Sequence, residues 1–355
     1  MKVALISDTH WGIRNDSIIQ HNHMKRFLDD VFFPTLRTHG ITDVYHLGDL
    51  VDRRKYINFN TARRLREDFL DPIMGEGISM HIISGNHDTY YKNTNDLNAL
   101  DEMVFGKYDN IQIYTGPTDT YFPDGSPVLL LPWICDDNRE KSIQAINKTI
   151  APVVLGHLEL AGFDLFRGHK NDHGDDPNIF NRFDLVCSGH YHTRSDNGTV
   201  YYLGCPVQFT WSDYNDTKGF HILDTETRDL TFIPNPDIIF HKHFYDDINR
   251  EMDDILNFDT GIYKDGYVKV VVKNKTNPYW FDIVIDRIEK SGVSDLQVVE
   301  DHLNLNLEED NDIINEAEDT MTILHKYING LTINVEKNRV ESIIQNLYTE
   351  ACQIH

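Results

Sequence analysis

Along the first two hundred residues, short apolar runs alternate with longer stretches in which apolar and polar positions mix. The runs at 3–6, 44–47, 80–83, 128–131, 153–155, 185–187 and 200–203 are mostly β-branched or Leu-rich and give way to Gly, Asp or Pro. That pattern predicts short buried strands. Between them the apolar positions take helical spacing. Residues 17–36 carry Ile18, Phe27, Leu28, Val31 and Phe32 toward one face, 60–70 place Leu65 and Phe69 four apart, and 96–103 and 138–147 are shorter candidates. Strands alternating with helices predict an α/β core of packed sheets flanked by helices, spanning residues 1–210.

Near residue 210 the pattern changes. Runs at 220–223, 230–233, 267–272 and 280–285 read as strands without long helices between them, predicting a smaller sheet-rich domain over 211–300. From about residue 308 helical spacing returns. Ile313, Ala317, Met321 and Leu324 form one stripe; after Asn329-Gly330, Val340, Ile343, Ile344 and Leu347 form another. A helical segment over 301–355 must bury these stripes against each other, its own chain or a partner, because short isolated helices are marginal in water.

Composition narrows the classes. A chain of 355 residues exceeds one ordinary core. No run approaches the roughly 20 apolar residues that cross a bilayer, and Asp8 interrupts the opening MKVALISDTHWG too early for a signal peptide. Cys135, Cys187, Cys205 and Cys352 lack CxxC spacing and suit a reducing cytoplasm as small buried apolar side chains. With 33 basic against 57 acidic residues the net charge is -24, which argues against coating nucleic acid by bulk charge. One stretch runs the other way: Arg53, Arg54, Lys55, Arg63, Arg64 and Arg66 fall within 53–66 without an acidic residue. It reads as a set of phosphate contacts or as a basic helix face paired to acidic neighbours.

Five phrases carry the chemistry: Asp8-Thr9-His10, Gly48-Asp49, Gly85-Asn86-His87-Asp88, Gly156-His157 and Gly189-His190-Tyr191-His192. Each follows a predicted strand, and loops after the carboxyl ends of strands gather at one edge of an α/β sheet. Carboxylate and imidazole together suit Mn, Fe or Zn, and one shared carboxylate can bridge two ions about 3.5–4 Å apart. A single HxH or Gly-Asp means little. Their joint appearance, each after a strand, points to a metal centre of Asp8, His10, Asp49, Asn86, His157, His190 and His192. His87 is a candidate general acid, since imidazole titrates near neutrality. Asp88 could orient that imidazole or ion-pair nearby.

The order D-x-H, G-D, G-N-H-D, G-H, G-H-x-H resembles the signature of the calcineurin-like metallophosphoesterases over about residues 1–210. The phrases MKVALISDTHWG, YHLGDLVDRRKYIN, IISGNHDTYYKNTN and VCSGHYHTR further resemble the SbcD-type DNA-repair nuclease branch, including recombination endonuclease subunits of T-even-like bacteriophages. This resemblance implies two packed sheets with a smaller cap domain. It also implies two divalent ions, Mn first with Mg, Fe or Zn as alternatives. Asp8, His10, Asp49 and His192 would hold one ion and Asp49, Asn86, His157 and His190 the other. His87 would touch substrate phosphate. A homodimer, an SbcC-like coiled-coil ATPase docked through the C-terminal helices, and double-stranded DNA ends would be the partners. A phosphomonoesterase or nucleotide phosphodiesterase, and a non-catalytic DNA-end-binding scaffold, are the competing functions.

Overall fold

A computed structural model describes residues 1–166 and 169–300. Its strands are β1 (Lys2–Ile6), β2 (Asp43–His46), β3 (Ser79–Ile83), β4 (Ile111–Tyr114), β5 (Thr118–Tyr121), β6 (Pro127–Leu131), β7 (Val153–His157), β8 (Asp164–Phe166), β9 (His169–Lys170), β10 (Leu185–Gly189), β11 (Ser195–Asp196), β12 (Val200–Tyr202), β13 (Gly219–Asp224), β14 (Leu230–Pro234), β15 (Phe240–Asp246), β16 (Tyr267–Asn274) and β17 (Asp295–Glu300). They build two six-stranded sheets, ordered β14-β13-β1-β2-β3-β4 and β11-β12-β10-β7-β6-β5, and a three-stranded sheet, β15-β16-β17; β8 and β9 pair separately.

Strand alternation explains the layers. Val3 and Leu5 of β1 meet Val128 and Leu130 of β6 in the core between the two large sheets, with Tyr45, Leu155 and Cys187. Their neighbours point the other way. Ala4 and Ile6 pack under helices that bring Met24, Phe27, Phe32, Leu36 and Phe69. Leu129 and Leu131 pack with Ile146 of the helix Arg139–Lys148. Both faces of each sheet are covered, so the strands read as continuous apolar runs rather than as alternating ones. The expected helix over 17–36 is Ile18–Phe27 continued by a wide π-helical turn, Leu28–Phe32, into Phe33–His39. That over 60–70 is Phe59–Leu65 with the same kind of turn at Arg66–Leu70.

Two expectations fail beyond residue 210. The runs at 220–223 and 230–233 are not part of a separate domain. They fall in β13 and β14, and β13 lies antiparallel against β1, with Val3 opposite Leu223. Pairing across more than two hundred residues leaves no local trace in sequence. The run at 280–285 is not a strand but part of the helix Pro278–Lys290. Pro278 starts it, the Asn277 side chain accepts from the Trp280 N–H at 3.3 Å, and Val284 and Ile288 recur four apart on its buried face. This helix covers Val268, Val270 and Val272 of β16, the central strand of an all-parallel sheet. The sheet joins the core through Trp211, Ile239, Phe240 and Tyr267. Beside that joint, His23 Nδ1–H and Arg26 Nε–H donate to the Asp237 carboxylate at 3.0 and 2.7 Å.

The two helical stripes expected over 301–355, and Cys352, lie outside the described residues. Cys135, Cys187 and Cys205 are buried free thiols. Among the described residues no helix is long and apolar enough to cross a membrane.

Candidate metal centre

Strands β1, β2 and β3 run parallel, as do β7 and β10. Their carboxyl ends therefore deliver five loops to one edge of the paired sheets, as the sequence phrases anticipate. The chain must turn sharply there. Asp8, His10, Asp49 and His190 adopt left-handed backbone, at φ of 52°, 41°, 54° and 89°. Each such residue costs about 1–3 kcal/mol, so the surroundings must impose the conformation. Asp8 N–H donates to the Gly48 carbonyl at 3.0 Å, His10 N–H to that of Asp49 at 3.1 Å and Trp11 N–H to that of Leu50 at 2.9 Å, lacing the first loop to the second. Two glycines make the crowding possible. A Cβ at Gly85 would collide with Asp49, and one at Gly189 with Ser7 and Asp8.

The side chains converge in two half-sites. In one, His10 Nε2 lies 2.9 Å from His192 Nε2 and 3.9 Å from Asp8 Oδ1. In the other, Asn86 Oδ1 lies 3.0 Å from His157 Nε2 and 2.8 Å from His190 Nδ1. Asp49 stands between them, its Oδ2 at 3.7 Å from His10 Nε2 and 3.4 Å from His157 Nε2. Asp8, His10 and His192, and likewise Asp49, His157 and His190, offer ligand atoms within 4.8 Å of one another, so each trio could hold a metal ion. The orientations suit that use. His157 donates Nδ1–H to the Leu47 carbonyl at 2.7 Å, which turns Nε2 toward the cleft, where a cation would take the place of its proton.

Charge is concentrated and desolvated here. Burial raises the Asp8 carboxyl to about 6, against the pull of His157. Burial would also raise Asp49, but the charge and hydrogen bond of His157 hold it well below the usual carboxylate range. The same partnership overcomes burial at His157 and lifts it to about 9. His190 is pushed down to about 3 by burial and by His157. A buried set of acids and imidazoles that oppose one another in this way suits cations.

His87 stands beside both half-sites. Its ring centroid is 4.8 Å from that of His10, and its backbone N–H donates to Asp49 Oδ1 at 2.7 Å. Asp88 does not orient it, contrary to expectation. The fully buried Asp88 carboxylate instead accepts from Val51 N–H at 3.1 Å and Gly85 N–H at 2.8 Å, bracing the two loops. The residue that steadies the imidazole is Asp52, whose carbonyl accepts from His87 Nδ1–H at 2.6 Å. The Asp52 carboxylate also lies 3.5 Å from His10 Nδ1. Sequence reasoning misses Asp52; an acidic residue three positions after Asp49 in one loop is its only trace.

The basic stretch divides. Arg53, Arg54 and Lys55 ring a cavity of about 180 Å³ that begins at Val51, next to the metal loops. Their cationic groups lie 5.0, 5.2 and 5.8 Å from the ring centroids of Tyr56, Trp133 and Tyr90. Arg53 also pairs with Asp16 at 2.8 Å. Arg63 donates to Asn60 at 2.9 Å, Arg64 lies 3.9 Å from Asp68, and Arg66 pairs with Glu67 at 3.0 Å. Arg64 and Arg66 thus have the acidic neighbours of the helix-face reading, whereas the partner of Arg63 is a neutral amide.

Two sheets with five metal-type loops at one edge define a phosphoesterase architecture, and the sequence profile of the calcineurin-like phosphoesterases matches residues 1–194. The chain belongs to that family and is a metal-dependent phosphodiesterase. It is similar to Exonuclease subunit 1 of Enterobacteria phage T4, 32% identical over 362 residues that span 99% of this chain and 100% of that protein. It is also similar to the SbcD component of the nuclease SbcCD of Staphylococcus saprophyticus subsp. saprophyticus, 24% identical over 394 residues that span 100% of this chain and 94% of that protein.

Proposed function

We propose that this chain is the nuclease subunit of a DNA-end-processing assembly, cleaving phosphodiester bonds at duplex ends in the cytoplasm. The observation that carries the reading is the pair of half-sites joined by Asp49, in a chain whose full-length relatives are named as nuclease subunits. Asp8, His10, Asp49 and His192 would hold one divalent ion, and Asp49, Asn86, His157 and His190 the other. The mix of carboxylate, imidazole and amide oxygen favours Mn, with Mg, Fe or Zn as alternatives. When bound, such ions acidify a water and offset charge on the phosphoryl oxygens.

The chain's own groups do the rest. Asn86 contributes a neutral oxygen, which limits the negative charge met by an incoming phosphate. His87 is lowered by burial, opposed by Asp49. A phosphodiester beside it supplies further negative charge that favours imidazolium, and Nε2–H then protonates the leaving oxygen while Asp52 fixes the ring through Nδ1. Arg53, Arg54 and Lys55 meet phosphates beyond the scissile bond, and Tyr56 offers a ring on which a base can stack. A homodimer working with an SbcC-like coiled-coil ATPase, docked through 301–355, would supply the DNA affinity that a net charge of -24 does not.

The test uses the full chain with Mn, a short DNA duplex and a phosphomonoester. DNA cleavage that a chelator stops and that Asp49→Ala abolishes is expected. Neutralising Arg53, Arg54 and Lys55 together should flatten the salt dependence of DNA binding. A clear preference for the phosphomonoester would overturn the nuclease reading.

A further inference from the structure

Behind the half-site of Asp8, His10 and His192 lies a buried ion cluster that the chemistry above does not use. Lys218 and Asp213 are 4% and 3% exposed. The Lys218 ammonium pairs with Asp213 Oδ1 and Asp216 Oδ2, each at 2.6 Å. Its third partner is the backbone carbonyl of His192, at 2.8 Å. Cys205 N–H donates to the same carbonyl at 3.2 Å, so this ligand's backbone is clamped from two sides.

The other end of the cluster reaches the same half-site. Asp213 Oδ2 accepts from Phe209 N–H at 2.8 Å and Thr210 N–H at 3.0 Å. The Phe209 ring stands edge-on to both His10 and His192, 5.7 Å from each ring centroid. Gln208 fixes Asp213 in turn, donating Nε2–H to its carbonyl at 2.8 Å, while Gln208 Oε1 accepts from Ile239 and Phe240 N–H at 3.0 and 3.2 Å. One ammonium thus governs the backbone of one imidazole and, through Asp213, the aromatic wall against two.

Burying a lysine with two carboxylates rarely adds stability over well-packed apolar side chains, because the desolvation cost offsets the attraction. Geometry is what the arrangement provides. We infer that Lys218, held by Asp213 and Asp216, is a positioning residue that sets His192 and His10 for the ion of their half-site. The inference rests on the two-ion reading above.

The experiment is a Mn titration of the full-length chain by calorimetry, with Co absorption spectra as a second probe of ligand geometry. Wild type should bind two ions. Lys218→Met should weaken one of them by about 10–100-fold, the range for losing the partner that orients a ligand, leave the other at wild-type affinity, and alter one Co spectrum of the pair. Asp216→Asn tests the same point where Lys218→Met fails to fold. Asp216 is at the cluster's edge, its side chain 14% exposed, and its loss should weaken the same ion by less. Two ions bound at wild-type affinity by the folded variants, or both ions weakened equally, would overturn the inference. A wild-type chain that binds fewer than two ions would instead bring down the two-ion reading on which it stands.

Discussion

At the metal cleft, four non-glycine residues hold left-handed backbone, and carboxylates and imidazoles crowd together out of water. Between the sheet β15-β16-β17 and the helix Pro278–Lys290, Val268, Val270, Val272, Val284 and Ile288 meet in an apolar core. Positive φ is confined there to Asn249, Asp265 and Gly292, all outside its helices and strands. The first region stores strain and unfavourable desolvation where chemistry is to happen; the second relaxes both and supplies cohesion. Function and stability should therefore separate under mutation.

The largest separation is expected at His87. His87→Ala should lower the cleavage rate by roughly 100-fold to 10,000-fold, the usual contribution of a positioned acid. Mn affinity and melting temperature should stay near wild type, since the variant removes none of the seven candidate ligands and no core side chain. Calorimetric loss of both ions in that variant would merge the acid with the metal site and break the comparison. The converse is Ile288→Ala, which should cost about 2–5 kcal/mol in denaturant unfolding while the folded variant binds Mn as before. Mn affinity falling in step with stability would mean that the two regions are one cooperative structure.

A smaller effect sits at the joint. Burial lowers the His23 pKa from its ordinary 6.5, although Asp237 pulls it upward. Asp237 is lowered from 3.8 because His23 and Arg26 outweigh its burial. Both native pKa values lie below the unfolded ones, so the unfolded chain binds more protons and acid favours it. His23's contribution is complete above its ordinary 6.5 and is lost as pH falls through its lowered value. Asp237's is complete above 3.8 and is lost as pH falls through its own. Asp237 holds the His23 pKa up while His23 holds that of Asp237 down, so removing the imidazole weakens both contributions: thermal melts of His23→Gln should show a shallower acid dependence than wild type, and parallel curves would move the sensitivity elsewhere.

Much of this was legible in the residues, for identifiable reasons. A metal loop needs particular side chains at fixed spacing directly after a strand, so Asp8, His10, Asp49, Asn86, His157, His190 and His192 announced themselves; two of the three trios that could hold an ion fall within that set, and the third joins His10 to Asp52 and His87. What escaped depends on distance or on geometry. Pairing of β13 with β1 joins residues 2–5 to 221–224 and leaves no periodicity to read. The aromatic and branched side chains at 280–285 suit a strand as well as a helix, and Asn277-Pro278 was the overlooked start signal. Asp88 looked like an orienting partner because it follows His87, yet its carboxylate turns back to two backbone N–H groups. Lys218 carries no motif; its meaning lies in a carbonyl 26 positions earlier.

The late position of β13 has a consequence during synthesis. The last of the seven ligand candidates is His192, but the strand that covers the outer edge of β1 begins only at Gly219. A nascent chain emerging from the ribosome therefore carries all seven candidate ligands before the outer edge of β1 is covered. In that interval β1 presents the open backbone edge of the apolar segment KVALI, a template for pairing with other chains. Gly219–Asp224 ends that exposure by forming the antiparallel seam, and the residue immediately before it is Lys218, which donates to the His192 carbonyl. The cover on β1 and the clamp on the His192 carbonyl thus both wait on residues 218–224.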